Sequence, residues 1–213
     1  MRVLAIGSSA RLQALMRGIG QRWQPDLWEY PSKTSPGWKY YDIIVDLEAD
    51  ERPSPAFSAY SSALWVLSAV KKPLHQLLLS PAWALRCVGA NLLPLFCERP
   101  LVEACALSDA AWERFQQWEP QSVRVPDRVG LVSARILCLI LNEALLLKEE
   151  AQLSLETIDV AVKLGLNYPY TISEWGRAVG WRHVKEILLA LQAEYGADVY
   201  PIASSLESLS LPS

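Results

Sequence analysis

The sequence predicts a chain that is α/β in its first half and all-α in its second: a doubly wound parallel sheet with several crossover helices shortened or missing, then a helical domain. Two changes of pattern support this. Through residue 106, short apolar runs such as RVLAIG and DIIVD recur between polar segments, as strands buried on both faces require. From residue 131 the pattern takes on a helical period, and SARILCLILNEALLLKEE carries apolar side chains round most of its circumference.

The elements follow in order. Residues 2–7 read as a first strand, too short an apolar run for a secretory leader, and residues 9–20 as a helix. Residues 26–30 form a second strand, followed by a loop rich in Pro, Ser and Gly at 31–37. A strand at 42–46, a polar connection at 53–62 and a further strand at 63–70 come next. Strands at 85–89 and 101–106 continue the sheet, and 108–118 is a helix. The boundary falls near 119–123, dividing residues 1–121 from residues 122–213.

In the second part a helix spans 131–148, with Arg135 and Asn142, seven apart, on one narrow stripe and Glu143 beside it. Those residues interrupt the helix too often for a membrane span, so its apolar surface calls for cover by a bundle or a second subunit. Asp127 is expected to cap its start. Ser154 is placed to cap the next helix, Glu156 to complement its dipole and Gly165 to end it in the left-handed conformation. Further helices are expected at 176–180 and 184–195, the latter with Val184, Ile187, Leu188, Leu191 and Tyr195 at helical spacing. The Ser- and Leu-rich tail at 204–213 is expected to fray.

Composition narrows the function. With 213 residues, 51% apolar and 20% charged, the chain reads as an ordinary globular protein, and its net charge of -3 argues against a nucleic-acid partner. Neither a membrane partner nor a targeting segment is expected, and the location expected is cytoplasmic. Cys87, Cys97, Cys105 and Cys138 lack metal-ligand spacing and read as reduced, buried small hydrophobes, so no metal is expected. The nine tryptophans scatter through both halves and read as packing residues rather than a binding cage.

The chain from Asp127 reads Asp127-Arg128-Val129-Gly130-Leu131-Val132-Ser133-Ala134-Arg135. Beyond it lie Asn142-Glu143-Ala144, then Ile158-Asp159-Val160-Ala161-Val162-Lys163-Leu164-Gly165, then Leu166-Asn167-Tyr168-Pro169. These resemble the D-x-x-G-F-[IV]-x-N-R, N-E-A, I-D-x-A-[MV]-x-x-G and G-x-x-Y-P motifs of the 3-hydroxyacyl-CoA dehydrogenases. The resemblance implies a shortened Rossmann-like parallel sheet followed by a helical domain like the C-terminal domain of those enzymes, which is 6-phosphogluconate dehydrogenase-like. It also implies NAD as cofactor, an acyl-CoA ligand and a homodimer formed through the helical domain.

The departures from the family concern the chemistry. A dinucleotide turn reads G-x-G-x-x-G, whereas this one reads Gly7-Ser8-Ser9-Ala10-Arg11-Leu12: Gly7 is kept, Ser9 adds a Cβ where a phosphate would lie, and Leu12 puts a branched side chain at the helix–strand contact. Glu29, near the end of the second strand, is the candidate acid for the ribose hydroxyls. Against the family's G-x-H-F-F-N-P and L-V-E, the chain has Gly89-Ala90-Asn91-Leu92-Leu93-Pro94 and Leu101-Val102-Glu103, one residue shorter and with Asn91 at the histidine position. A carboxamide does not accept a proton near neutral pH, and loss of a general base costs about 10²- to 10⁴-fold in rate. Glu103 is kept as the carboxylate that would orient it.

Ala134 replaces the asparagine ahead of Arg135, removing an amide expected near the substrate. Thr171-Ile172 replaces a Gly-Pro turn with residues that do not readily take positive φ. His75, in a loop after the 63–70 strand, is the alternative base; His183 reads as structural. The expectation is a divergent, catalytically impaired homologue with NAD binding weak or lost, acting by binding or assembly as a dimer. The alternatives are an active NAD-dependent oxidation of a 3-hydroxyacyl-CoA to the 3-oxoacyl-CoA in fatty-acid metabolism, and a non-catalytic subunit of a heteromeric dehydrogenase.

Overall fold

The computed structural model describes residues 1–30, 37–52, 62–78 and 80–211. The expected loop at 31–37 and connection at 53–62 therefore lie, apart from Gly37 and Ser62, outside the described residues. The chain divides into two units, Met1–Val132 and Ser133–Ser213.

The first unit runs β1 (Val3–Gly7), α1 (Ser9–Arg17), α2 (Gly20–Trp23), β2 (Asp26–Glu29), β3 (Ile43–Asp46), β4 (Leu64–Ser68), α3 (Leu74–Leu77), β5 (Cys87–Ala90), α4 (Pro94–Cys97), β6 (Val102–Ala106), α5 (Asp109–Trp118) and β7 (Ser122–Arg124). The strands form one sheet in the order β2-β1-β3-β4-β5-β6-β7. Every residue of β1 and of β4 is buried, which explains why these strands read as unbroken apolar runs rather than alternating ones. One face packs Val3, Ala5, Val45, Val66 and Val88 against Leu12 and Leu15 of α1 and Phe115 of α5. The opposite face gathers Leu4, Ile6, Ile44, Trp65, Leu67 and Leu74, with Trp28 and Trp38 against them. Indole rings thus cover a face that a longer crossover helix would ordinarily cover: Trp28–Trp38 centroids are 5.8 Å apart and Trp38–Trp65 5.5 Å.

Two expectations about the sheet are corrected. It is not parallel throughout, because β5 and β6 pair antiparallel, Gly89 opposite Cys105. The stretch between them holds only the single turn of α4, and a parallel return needs a dozen or more connecting residues. The boundary also lies at Val132/Ser133 rather than at 121/122. Residues 122–124 pair with β6 as β7, Val102 opposite Ser122, so the presumed linker begins as sheet.

The second unit runs α6 (Ser133–Glu150), α7 (Leu155–Gly165), α8 (Ile172–Val179), α9 (Trp181–Tyr195) and α10 (Ser205–Leu209). Ser154 caps α7 as expected, its hydroxyl accepting from Thr157 N–H at 3.1 Å. The left-handed residue is Asn167 (φ 53°), not Gly165, because α7 continues through Gly165 and turns only in the following segment. Thr171, in extended conformation, forms a reciprocal cap with Glu174 at the start of α8, so the β-branched pair suits this backbone. Among the described residues no helix is long and apolar enough to cross a membrane.

The polar stripe of α6 holds the end of the chain. Arg135 bonds the Tyr200 hydroxyl and lies over the rings of Tyr195 and Tyr200. Asn142, one heptad on, donates to Pro201 O at 2.7 Å and accepts from Ala203 N–H at 3.0 Å. Glu149, a further heptad on, accepts from Ser204 N–H at 3.2 Å and Ser205 N–H at 2.6 Å. The tail expected to fray is therefore docked as far as α10, with Leu206 fully buried; residues 212–213 lie outside the described residues. Replacing Asn142 by Ala leaves a buried amide and carbonyl without these bonds. We expect a loss of about 1–3 kcal/mol in urea denaturation and faster proteolytic trimming beyond residue 199.

Candidate functional site

At the carboxyl end of the sheet β1 lies between β2 and β3, the place where connections diverge and open α/β sheets bind ligands. Gly7 ends β1 there. A Cβ on Gly7 would stand 3.2 Å from the Leu47 side chain, so any larger residue there would press on Leu47. Ser8, extended, precedes α1, and both its amide and its hydroxyl are taken by one carboxylate: Ser8 N–H donates to Glu48 Oε2 at 3.0 Å and Ser8 Oγ to Oε1 at 2.5 Å. The N-terminal end of α1, which favours an anion, thus receives one from the chain itself.

Behind that turn lies a buried ionic network. Arg11, 4% exposed, donates to Leu47 O at 2.5 Å, Leu92 O at 2.9 Å and Glu51 Oε1 at 2.8 Å. The same Glu51 oxygen is 3.0 Å from Lys71 Nζ. Asp50 Oδ2 accepts the amides of Val70 and Lys71, each at 2.8 Å, fastening the segment after β3 to the end of β4. Asp46, fully buried, pairs with Arg52, whose guanidinium lies 4.6 Å over the Tyr30 ring. None of Arg11, Asp46, Glu48, Asp50, Glu51, Arg52 or Lys71 was among the sequence candidates. The signal was the run LEADER directly after the third strand, acids placed where a dinucleotide-binding sheet should receive phosphate.

The sequence candidates separate into groups. Glu29 stands opposite Gly7 at the end of β2, where the second-strand acid is expected. Ser9 is exposed in the first turn of α1, and Leu12 lies in the core. Asn91 directly follows β5 and is 3% exposed; its backbone N–H donates to the Glu103 backbone carbonyl at 2.9 Å, so the two residues stand side by side. The Glu103 carboxylate accepts from Val132 N–H. His75 belongs to a different pair, with Nδ1 2.7 Å from Asp127 Oδ2 and its side chain half exposed. Asp127 also accepts from the amides of Leu74 at 2.6 Å and His75 at 2.9 Å. It therefore caps α3 rather than the long helix, because the nearer unmet donors are those of α3. In the other unit Ala134 is buried and Arg135 is held by tyrosines. The four cysteines are free and buried, and burial pushes the thiols of Cys87, Cys97 and Cys138 up to about 12.

Burial also raises Asp46 from 3.8 to about 6, against the pull of Arg52. The folded chain keeps this proton to higher pH than the unfolded chain does. Stability owed to Asp46 therefore falls as pH rises from about 4 to about 6, and is level above. Relative to wild type, Asp46→Asn should gain on the order of 3 kcal/mol between those limits, read from urea midpoints at each pH.

Residues 130–211 match the family model described as 3-hydroxyacyl-CoA dehydrogenase, C-terminal domain. The 3-hydroxyadipyl-CoA dehydrogenase of Escherichia coli is 34% identical over 96 residues, which are 45% of this chain and 20% of that protein. The match thus spans a fifth of that relative's length. Among solved structures, the (S)-3-hydroxybutyryl-CoA dehydrogenase of Ralstonia eutropha has a TM-score of 0.69 at 16% identity, with 98% of this chain and 93% of that chain covered. FadB2 of M. tuberculosis has a TM-score of 0.74 at 16% identity, with 97% and 92% covered. Likeness at such identity shows the fold, a Rossmann-like sheet with a helical C-terminal domain, and the sequence match lies in the helical part. The helical unit is thus similar in sequence to the C-terminal domain of the 3-hydroxyacyl-CoA dehydrogenases.

Proposed function

We propose that the chain is a divergent, catalytically impaired member of this NAD-dependent family that acts by binding or assembly, as a homodimer formed through its helical unit. The observation that carries this reading is the pair at the end of β5. The family's reaction removes a proton from the 3-hydroxyl while hydride leaves for the nicotinamide, and needs a base oriented by a carboxylate. Here the position of the base holds Asn91, and the Glu103 carboxylate accepts from the Val132 amide. The relatives' names point to an acyl-CoA as the ligand class.

Dimerisation is supported by α6. Its Ile136 is 54% and Leu147 46% exposed, and a groove of about 510 Å³ beside it is lined by Leu139, Ile140, Leu146 and Tyr200 among others. Apolar helix surface of this kind is the surface an obligate partner covers. A second reading rests on the His75–Asp127 pair: an imidazole fixed at Nδ1 by a carboxylate and exposed at its other nitrogen has the form of a general base. In that case the chain is an active dehydrogenase with a relocated base.

An NADH absorbance assay with acetoacetyl-CoA separates them. We expect wild-type turnover indistinguishable from that of Glu103→Ala and His75→Ala; turnover lost on replacing His75 would establish the second reading. A melting scan with acetoacetyl-CoA reports binding without turnover, since a ligand at 100 times its Kd stabilises the fold by about 2.7 kcal/mol. Light scattering should give twice the chain mass for wild type, and Ile136→Glu should shift it toward the monomer.

A further inference from the structure

We propose that the crevice at the carboxyl end of the sheet is an anion site closed in cis, with the Glu48 carboxylate standing where a dinucleotide would place its diphosphate. The inference deepens the reading above and rests on it, since it names how the cofactor would have been displaced. The position is set by topology: Ser8 lies in the turn from β1 to α1, beside β3, and a dinucleotide lays its diphosphate on such a turn at the helix N-terminus.

Two independent sets of bonds fill it. Glu48 meets Ser8 with both oxygens, at 3.0 and 2.5 Å, and its own amide is held by Asp46 Oδ1 at 3.2 Å. Deeper, Arg11 is the cation on α1 nearest in sequence to the turn. Its guanidinium is spent on Leu47 O, Leu92 O and Glu51, and so is directed inward. A diphosphate entering here would have to displace the Ser8 bonds of Glu48 and would meet that carboxylate's negative charge. Yet Glu29, across β2 from Gly7, keeps the place of the ribose acid. The crevice therefore retains the outline of a dinucleotide site and carries its own substitute for the central charge. The residues present do not fit NAD.

Isothermal titration of the full chain tests this with inorganic pyrophosphate and, separately, NADH, on wild type, Glu48→Ala and Glu48→Gln. Wild type should give no saturable heat with either probe. Glu48→Ala should bind pyrophosphate at least about tenfold more tightly than wild type. Glu48→Gln keeps an oxygen for Ser8 and removes only the charge, so it remains informative if the alanine variant does not fold; it should gain pyrophosphate-dependent thermal stabilisation that wild type lacks. Saturable NADH binding by wild type overturns the proposal, as do folded variants that bind pyrophosphate no better than wild type. The second of those results, without turnover, leaves the functional reading intact; turnover of a 3-hydroxyacyl-CoA by wild type would remove that reading instead.

Discussion

A guanidinium taken out of water needs acceptors, and Arg11 finds three of them through its terminal nitrogens, on segments that are far apart in sequence. Its bonds to Leu47 O and Leu92 O tie α1 to the carboxyl ends of β3 and β5, and Glu51 supplies the countercharge. Burying such a charge without these partners costs several kcal/mol. The sheet's carboxyl end is consequently fixed in one arrangement. Leu47 lies against Gly7 there, and the backbone that follows presents Glu48 to Ser8. The contact of Glu48 with Ser8 is thus continuous with the packing of the first unit.

The helical unit solves a related problem with neutral groups. Asn142 is buried and satisfied by the backbone of Pro201 and Ala203, so the segment before α10 is positioned by hydrogen bonds that lie at heptad spacing with those of Arg135 and Glu149. One face of α6 is used up by this latch and another by α9. Helices α7 and α8 also pack on α6, and Ile136 and Leu147 stay exposed. Polarity on α6 is therefore a stripe with a structural task, and its apolar remainder is too wide for the unit's own helices to cover.

Legibility in the sequence followed the kind of interaction. Strands β1, β3 and β4 were readable because burial on both faces leaves unbroken apolar runs, and α6 and α9 because their periodicity spans several turns. The pairing of β7 was not, since Ser122–Arg124 is half exposed and gains its place only from the edge of β6. Nor was the antiparallel turn between β5 and β6, which is decided by the shortness of the connection. At the site, Asn91 and Glu103 were found because a motif marked them. Glu48 and Arg11 were missed because their roles depend on contacts separated by 40 and 81 residues, with no local period to announce them. Asp127 was misassigned for the same reason: the nearest helix in sequence is α6, but the helix end within its reach is that of α3.

The two departures from the family's chemistry support one another physically. A carboxylate buried as Glu103 is needs donors, and the Val132 amide supplies one. At the other end of the crevice, α1 presents an amide and a hydroxyl that need an acceptor, which bound phosphate would supply; Glu48 does so instead. At both places a group of the chain itself supplies the partner, and a ligand or side chain introduced there would have to displace bonds already made. Reversing one of the two departures alone would leave the other in place, and groups that act as a unit in catalysis do not contribute separately. The first unit thereby meets both sets of buried donors and acceptors from within its own chain.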